Sequence, residues 1–243
     1  MINVTVWNEG VHEKTSNEVA GVYPAGIHGC IKNFLSTQED IEIRTATLAQ
    51  RRCGLSDEVL ENTDVLIWWG HMAHHEVNDA IVEKVRDRVY MGMGLIVMHS
   101  GHYSKVFQRV VGTTGNLLWG SNVKEIIWNI NPTHPIAQGI PAHFSIDREE
   151  MYGEQFDIPK PDDVVFMGWF NGGEVFRSGV TFTRGLGKIF YFQPGHETYP
   201  TYYNEEIIKV IKNGINWVYS TYRDTKGLDS HHVKIPTTVS EDK

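Results

Sequence analysis

His12, His71, His74, His75, His99, His102 and His196 each follow closely on a short apolar run that reads as a strand. His28 lies in the first turn of the helix predicted after the first of those runs. In an open α/β sheet the loops at the carboxyl ends of the strands gather along one rim, and ligands bind there. Imidazole has two uses in such a place. Neutral imidazoles around an open coordination position make a catalytic metal site, and the same group is an acid or base near neutral pH or a hydrogen-bond donor to hydroxyls. A lone loop histidine is ordinarily structural, but so many in corresponding positions argue for a site.

Local spacing narrows this only in part. His71-Met72-Ala73-His74-His75 puts His71 and His75 on one face if it is helical, and otherwise relies on the fold to bring them together. No HExxH signature is present. His196-Glu197 is sharper, an imidazole and a carboxylate behind a buried strand and a glycine that permits close backbone approach. Glu150 sits near Tyr152 in a segment read as irregular. A carboxyl in a partly closed aromatic pocket has its proton affinity raised into a range useful for acid–base work.

The elements that must position these groups come next. Gly94 to Met98 is a nearly continuous apolar run, the pattern of a strand covered on both faces, and it breaks into His99-Ser100-Gly101-His102. Lys188 to Phe192, followed by Gln193-Pro194-Gly195-His196-Glu197, has the same grammar. Ile2 to Trp7, Ile41 to Thr45 and Val65 to Trp69 read as further strands, and Trp68 and Trp69 as core residues on its two faces. Helical periodicity marks the segment after Pro24, a short helix begun by Ser56, Val77 to Val89, Ser104 to Val111 and Glu205 to Tyr219. Val123 to Ile130, Val164 to Phe170 and Gly179 to Arg184 read as strands, with a hairpin turn at Asn171-Gly172-Gly173 and irregular chain from Pro141 to Pro161. A single α/β domain over residues 1–220 is expected, then a polar tail over 221–243, either disordered or draped on a neighbouring subunit.

With 22 Lys and Arg against 30 Asp and Glu, the formal charge of −8 disfavours a nucleic-acid surface or a polybasic membrane attachment. Two cysteines, Cys30 and Cys53, are too few for a disulfide scaffold, and neither a spanning helix nor a secretion signal is visible. The chain is therefore expected to be cytoplasmic.

Taken together, Asp64-Val65-Leu66-Ile67-Trp68-Trp69-Gly70-His71, Gly92 to Ser100, Glu149-Glu150-Met151-Tyr152-Gly153 and Gly187 to Tyr191 through Gly195-His196-Glu197 resemble the trehalose-utilisation (ThuA-like) family, within the class I glutamine-amidotransferase-like fold. The resemblance covers most of the chain. It implies a flavodoxin-like doubly wound, mainly parallel sheet with helices on both faces and additional strands, and a role in disaccharide catabolism beside an NAD-dependent sugar oxidoreductase. It does not imply a glutaminase. That chemistry needs a thiolate on a tight strand-to-helix turn, and here the turn reads Met98-His99-Ser100-Gly101-His102. Ser100 with His196 and Glu197 would be a serine triad, but Met98 and His102 flank Ser100 where an elbow wants small residues.

Two functions are carried forward. One is an enzyme, a keto-sugar lyase, hydrolase or isomerase acting on an oxidised disaccharide such as keto-trehalose, with no directly bound nucleotide cofactor. Glu150 is then the base, with His196, Glu197 and Ser100 as further catalytic candidates, and His102, Tyr152 and His74 bind the sugar. A divalent metal, with zinc expected first, is assigned to His71, His99 and His196, with His12 and His28 in reserve. The other is a non-catalytic sugar-binding or regulatory protein that has lost the amidotransferase nucleophile. Aromatic residues of the last segments, Tyr219 and Tyr222, point to a homo-oligomer or to closure of the core.

Overall fold

The structure, a computed structural model, describes residues 1–224, 227–230 and 232. Among them nine strands form one sheet: β1 (Ile2–Asn8), β2 (Ile41–Thr47), β3 (Val65–Trp69), β4 (Gly94–Met98), β5 (Leu118–Asn129), β6 (His143–Gly153), β7 (Asp163–Phe170), β8 (Val175–Arg184) and β9 (Gly187–Phe192). Their order is β2-β1-β3-β4-β9-β8-β7-β5-β6. The first five in that order run parallel, and from β9 onward each neighbour is antiparallel. The chain is thus a doubly wound parallel sheet extended by an antiparallel wing.

Alternation along the buried strands sends their side chains into two cores. Val65, Ile67 and Trp69 join one cluster with residues of α3 (Gly26–Leu35) and α7 (Glu205–Val218). Leu66 and Trp68 join the other with residues of α4 (Asp57–Glu61), α5 (Asp79–Tyr90) and α6 (Lys105–Phe107). Trp68 stacks on Trp7 at 3.8 Å between ring centroids, so the tryptophans of β3 are core residues, as their strand position implies. Two short helices, α1 (His12–Thr15) and α2 (Asn17–Val22), fill the connection after β1.

Two local expectations are corrected. The segment expected to be irregular between Pro141 and Pro161 contains the 11-residue β6. Its inward positions beyond Ile146 are taken by Glu149, Glu150 and Tyr152, and the register of β5 on β6 shifts at Val123, so no apolar alternation announces the strand. Strand β5 also starts earlier than expected, at Leu118. As for the tail, Arg223 pairs with Asp64 and the Asp224 N–H donates to the Met91 carbonyl, so residues 223–224 pack on their own chain. The expectation of a disordered or draped tail otherwise falls mostly outside the described residues. Tyr219 packs against the core, whereas Tyr222 is exposed.

Candidate functional site

At the carboxyl edge of the parallel strands, loops separated by up to 185 positions meet. The loop after β1 brings His12, the one after β3 His71, and the one after β9 Glu197. His12 Nδ1 bonds Glu197 Oε1, and His71 Nδ1 lies 2.5 Å from the same oxygen. Beside this trio stands a second: His99 Nε2 is 3.1 Å from Glu150 Oε2, and His196 Nε2 is 3.8 Å from Glu150 Oε1. Within each trio one donor atom per residue lies within 4.8 Å of the others. The trios adjoin, with the His71 and His196 rings 5.1 Å apart.

Two buried carboxylates hold the loops that carry these groups. Glu9, just past β1, accepts the backbone N–H of His71, Met72 and Ala73 at 2.7 to 3.0 Å. Glu149 on β6 accepts the N–H of Glu150 and His196 at Oε1, and the N–H of Gly195 and the hydroxyl of Thr201 at Oε2. Neither was singled out for a role in the sequence. Their partners lie 46 or more positions away for the loops concerned, so no local spacing could have marked them.

Charge within the second trio is set by burial and pairing. Burial alone would push the His99 imidazole down, but the hydrogen bond and charge of Glu150, with Glu149 and Glu197 behind it, outweigh burial and raise its pKa above 6.5. Burial would likewise raise Glu150, yet the hydrogen bond and charge of His99, helped by His196 and His71, bring it below 4.5. The proton affinity of Glu150 is therefore lowered, which corrects the expectation of a raised one: its aromatic pocket contains imidazoles as well as rings. Burial takes His196 and His74 down to about 4 and His102 to about 3, so all three are neutral at pH 7. Burial opposes ionisation of Glu197 too, but the His71 hydrogen bond and the charges of His71 and His196 leave it well below 4.5.

A cleft of about 360 Å³ opens onto these groups, lined by His71, His74, Ser100, His102, Tyr103, Asn116, Leu117, Trp119, Glu150 and Tyr152. Tyr152 stacks on His99 at 5.2 Å. His102 Nδ1 donates to the Gly115 carbonyl at 2.7 Å, which leaves its Nε2 as an acceptor.

The expected ligands His71, His99 and His196 are brought together, with ring centroids 5.1 to 6.5 Å apart, but they are divided between the two trios. His28 bonds Asn8, lies 3.9 Å from Glu13, and belongs to neither. Ser100 is buried and donates to the Gly70 carbonyl at 2.9 Å, while His196 Nδ1 engages Thr198, so no Ser100–His196 bond exists to activate the hydroxyl. The left-handed residue at this turn is His99, with φ 48°.

A family model described as trehalose utilisation, ThuA, matches residues 3–218. Among solved structures, a ThuA-like protein of Parabacteroides merdae is similar with 15% identity and a TM-score of 0.65, over 91% of each chain. A cytoplasmic protein of Salmonella typhimurium shares 14% identity at a TM-score of 0.60, over 90% of this chain and 100% of that one. A glutamine amidotransferase of Thermotoga maritima shares 11% at 0.55, over 88% and 96%. No curated protein sequence matches. No helix among the described residues is long and apolar enough to cross a membrane.

Proposed function

From the premise that this chain belongs to the trehalose-utilisation (ThuA) family, a family of carbohydrate metabolism, we propose that it is an enzyme that works on an oxidised, ketone-bearing disaccharide by acid–base chemistry. The supporting observation is the Glu150–His99 pair at 3.1 Å, ionised by mutual attraction, with Glu150 at the wall of a sugar-sized cleft and His99 buried behind it. A ring ketone acidifies the neighbouring C–H. Glu150 as carboxylate removes that proton, and the buried His99 imidazolium, its N–H groups directed at Glu150 and at the Gln193 carbonyl, holds that carboxylate ionised and in place. Gln193 fixes His99 for this task, since its backbone carbonyl accepts from Nδ1 at 2.8 Å and so directs Nε2 toward Glu150. Tyr152 and His102 Nε2 are placed to hold sugar hydroxyls, and His74 lies on the same cleft wall. The C–O bond to the neighbouring sugar then breaks and its leaving oxygen takes up the proton held by Glu150, which completes a lyase reaction; delivery of that proton to the adjacent carbon instead completes an isomerase reaction. The ketone itself would come from a separate NAD-dependent oxidoreductase, and the reaction would take place in the cytoplasm.

His12, His71 and Glu197 fit a divalent cation such as zinc. Two imidazole nitrogens and a carboxylate oxygen converge, and the other oxygen of Glu197 is buried with no hydrogen-bond partner among the described residues. When bound there, such an ion supplies Lewis-acid polarisation of a carbonyl oxygen. The test of the acid–base assignment is Glu150→Gln with keto-trehalose as substrate. Loss of turnover by a folded variant that still binds the sugar is expected. Unchanged turnover removes Glu150 from the chemistry, and a wild-type protein that binds the sugar without consuming it is a binding protein.

A further inference from the structure

We infer that the mouth of the cleft is a second sugar-ring subsite, built by Trp119 from β5 and Tyr103 from the turn after β4. The inference rests on the reading of the cleft as a carbohydrate site and adds to it where the second ring of a disaccharide lies. Trp119 is 69% exposed and Tyr103 52%, yet both line the same cleft as Glu150 and His102. Their exposure follows from their positions. Trp119 stands directly opposite Tyr152 in the antiparallel β5–β6 pair, and residues opposite one another in such a pair project from the same face. The His99 ring stacks on Tyr152, and Trp119, on the same face of the sheet as Tyr152, carries the cleft lining on to solvent.

The aromatic lining continues from Tyr152 through His102, whose ring is 5.1 Å from that of Tyr152. His102 is buried, its ring is 6.2 Å from that of Tyr103, and Tyr103 in turn is 6.1 Å from His74. Asn116 belongs to the same lining and offers an amide donor and acceptor. Polar groups beside two exposed aromatic side chains suit a pyranose, whose axial C–H face is apolar and whose rim carries hydroxyls. The volume of about 360 Å³ is near the small end of the roughly 300–1,000 Å³ common for ligand sites, which fits a disaccharide better than a larger glycan. The first ring then occupies the Glu150 end, and the second ring stacks on Trp119.

Isothermal calorimetry with trehalose and with methyl α-glucoside as probes separates the two ends. Covering roughly 60 Å² of indole by a sugar face is worth on the order of tenfold in affinity. Trp119→Ala is expected to weaken trehalose binding by about that factor, to leave methyl α-glucoside binding unchanged, and to recover partly as Trp119→Phe. Tyr103→Ala is expected to act in the same direction with a smaller loss. The subsite is overturned if Trp119→Ala binds trehalose as tightly as wild type, if both probes weaken equally, or if wild type fails to bind trehalose at all. It is also overturned if sedimentation shows that Trp119→Ala dissociates an oligomer while sugar binding is intact. These readouts need no turnover, so they stand apart from the Glu150→Gln result.

Discussion

Replacing Glu149 by glutamine should loosen the loop that carries His196 and Glu197 without unfolding the chain, and the size of the effect follows from the bonds lost. The carboxylate satisfies three backbone N–H groups and one hydroxyl, buried except for the half-buried His196. Glutamine keeps one carbonyl oxygen, which can serve Glu150 and His196 from the Oε1 position. Its amide nitrogen then faces Thr201 and the N–H of Gly195. The threonine hydroxyl can turn round and accept, but the Gly195 N–H, 3.0 Å from the present oxygen, meets another donor. One orphaned buried N–H costs about 1–3 kcal/mol. For a chain of this size each kcal/mol lowers the melting temperature by about 2–4 °C, so a fall of about 4–8 °C is expected for about 2 kcal/mol. A protonated Glu149 would not change the sign, because a carboxyl oxygen can accept from Gly195 and an amide nitrogen cannot. Glu149→Ala strips the acceptor from four donors at once, about 4 kcal/mol or more against a total stability of about 5–15, and is expected to cost most of the soluble yield. Circular dichroism melts at pH 7 decide it. Melting of Glu149→Gln within about 1 °C of wild type, or of Glu149→Ala alongside Glu149→Gln, refutes the account.

The remaining expectations concern charge and metal. Because Glu150 stays ionised below its ordinary 4.5 and His99 keeps its proton above its ordinary 6.5, turnover should hold across that interval and beyond both ends. Activity is lost at the basic end as pH rises through the raised His99 value and at the acid end as pH falls through the lowered Glu150 value. A pH profile of kcat/KM that peaks sharply between 4.5 and 6.5 would contradict the pairing. Elemental analysis of protein purified without tag or chelator should find a stoichiometric divalent ion in wild type and in His99→Ala, and lose it in His12→Ala and Glu197→Gln. Retention in His12→Ala with loss in His99→Ala would move the ion to the other trio.

How much of this could be read from the sequence depends on where each strand lies. Strands β3, β4 and β9 are covered on both faces, so apart from Lys188 near the start of β9 their side chains are apolar or aromatic and announce both the strand and the loop that ends it. That made the histidine rim legible. Strand β6 was not, because its inward positions are spent on Glu149, Glu150 and Tyr152, and a strand whose buried face is polar resembles a loop. Which imidazole meets which carboxylate was equally hidden. His71 and His99 end adjacent strands, yet their neighbours Glu197 and Glu150 come from β9 and from the antiparallel wing, and only the register of the whole sheet brings them there.

The turn after β4 shows how the chemistry of this fold can change while its architecture stays. A nucleophile elbow exposes its reactive side chain by forcing one residue into a sharp, strained conformation at the end of a strand. Here the strained position is held by His99, a non-glycine residue at φ 48°, and strain of that kind persists only where the surroundings over-determine it. Those surroundings are visible: the Gln193 carbonyl takes Nδ1, Glu150 takes Nε2, the Tyr152 ring stacks alongside, and the Tyr191 hydroxyl donates to the His99 carbonyl at 3.0 Å. A thiol or hydroxyl at the strained position would be offered as a nucleophile. An imidazole held at both nitrogens is instead a fixed partner for the Glu150 carboxylate, and Ser100, one position on, has its hydroxyl committed to Gly70. The corner thus presents neither a thiol nor a free hydroxyl, and the proposed acid–base chemistry rests on His99 and Glu150 together.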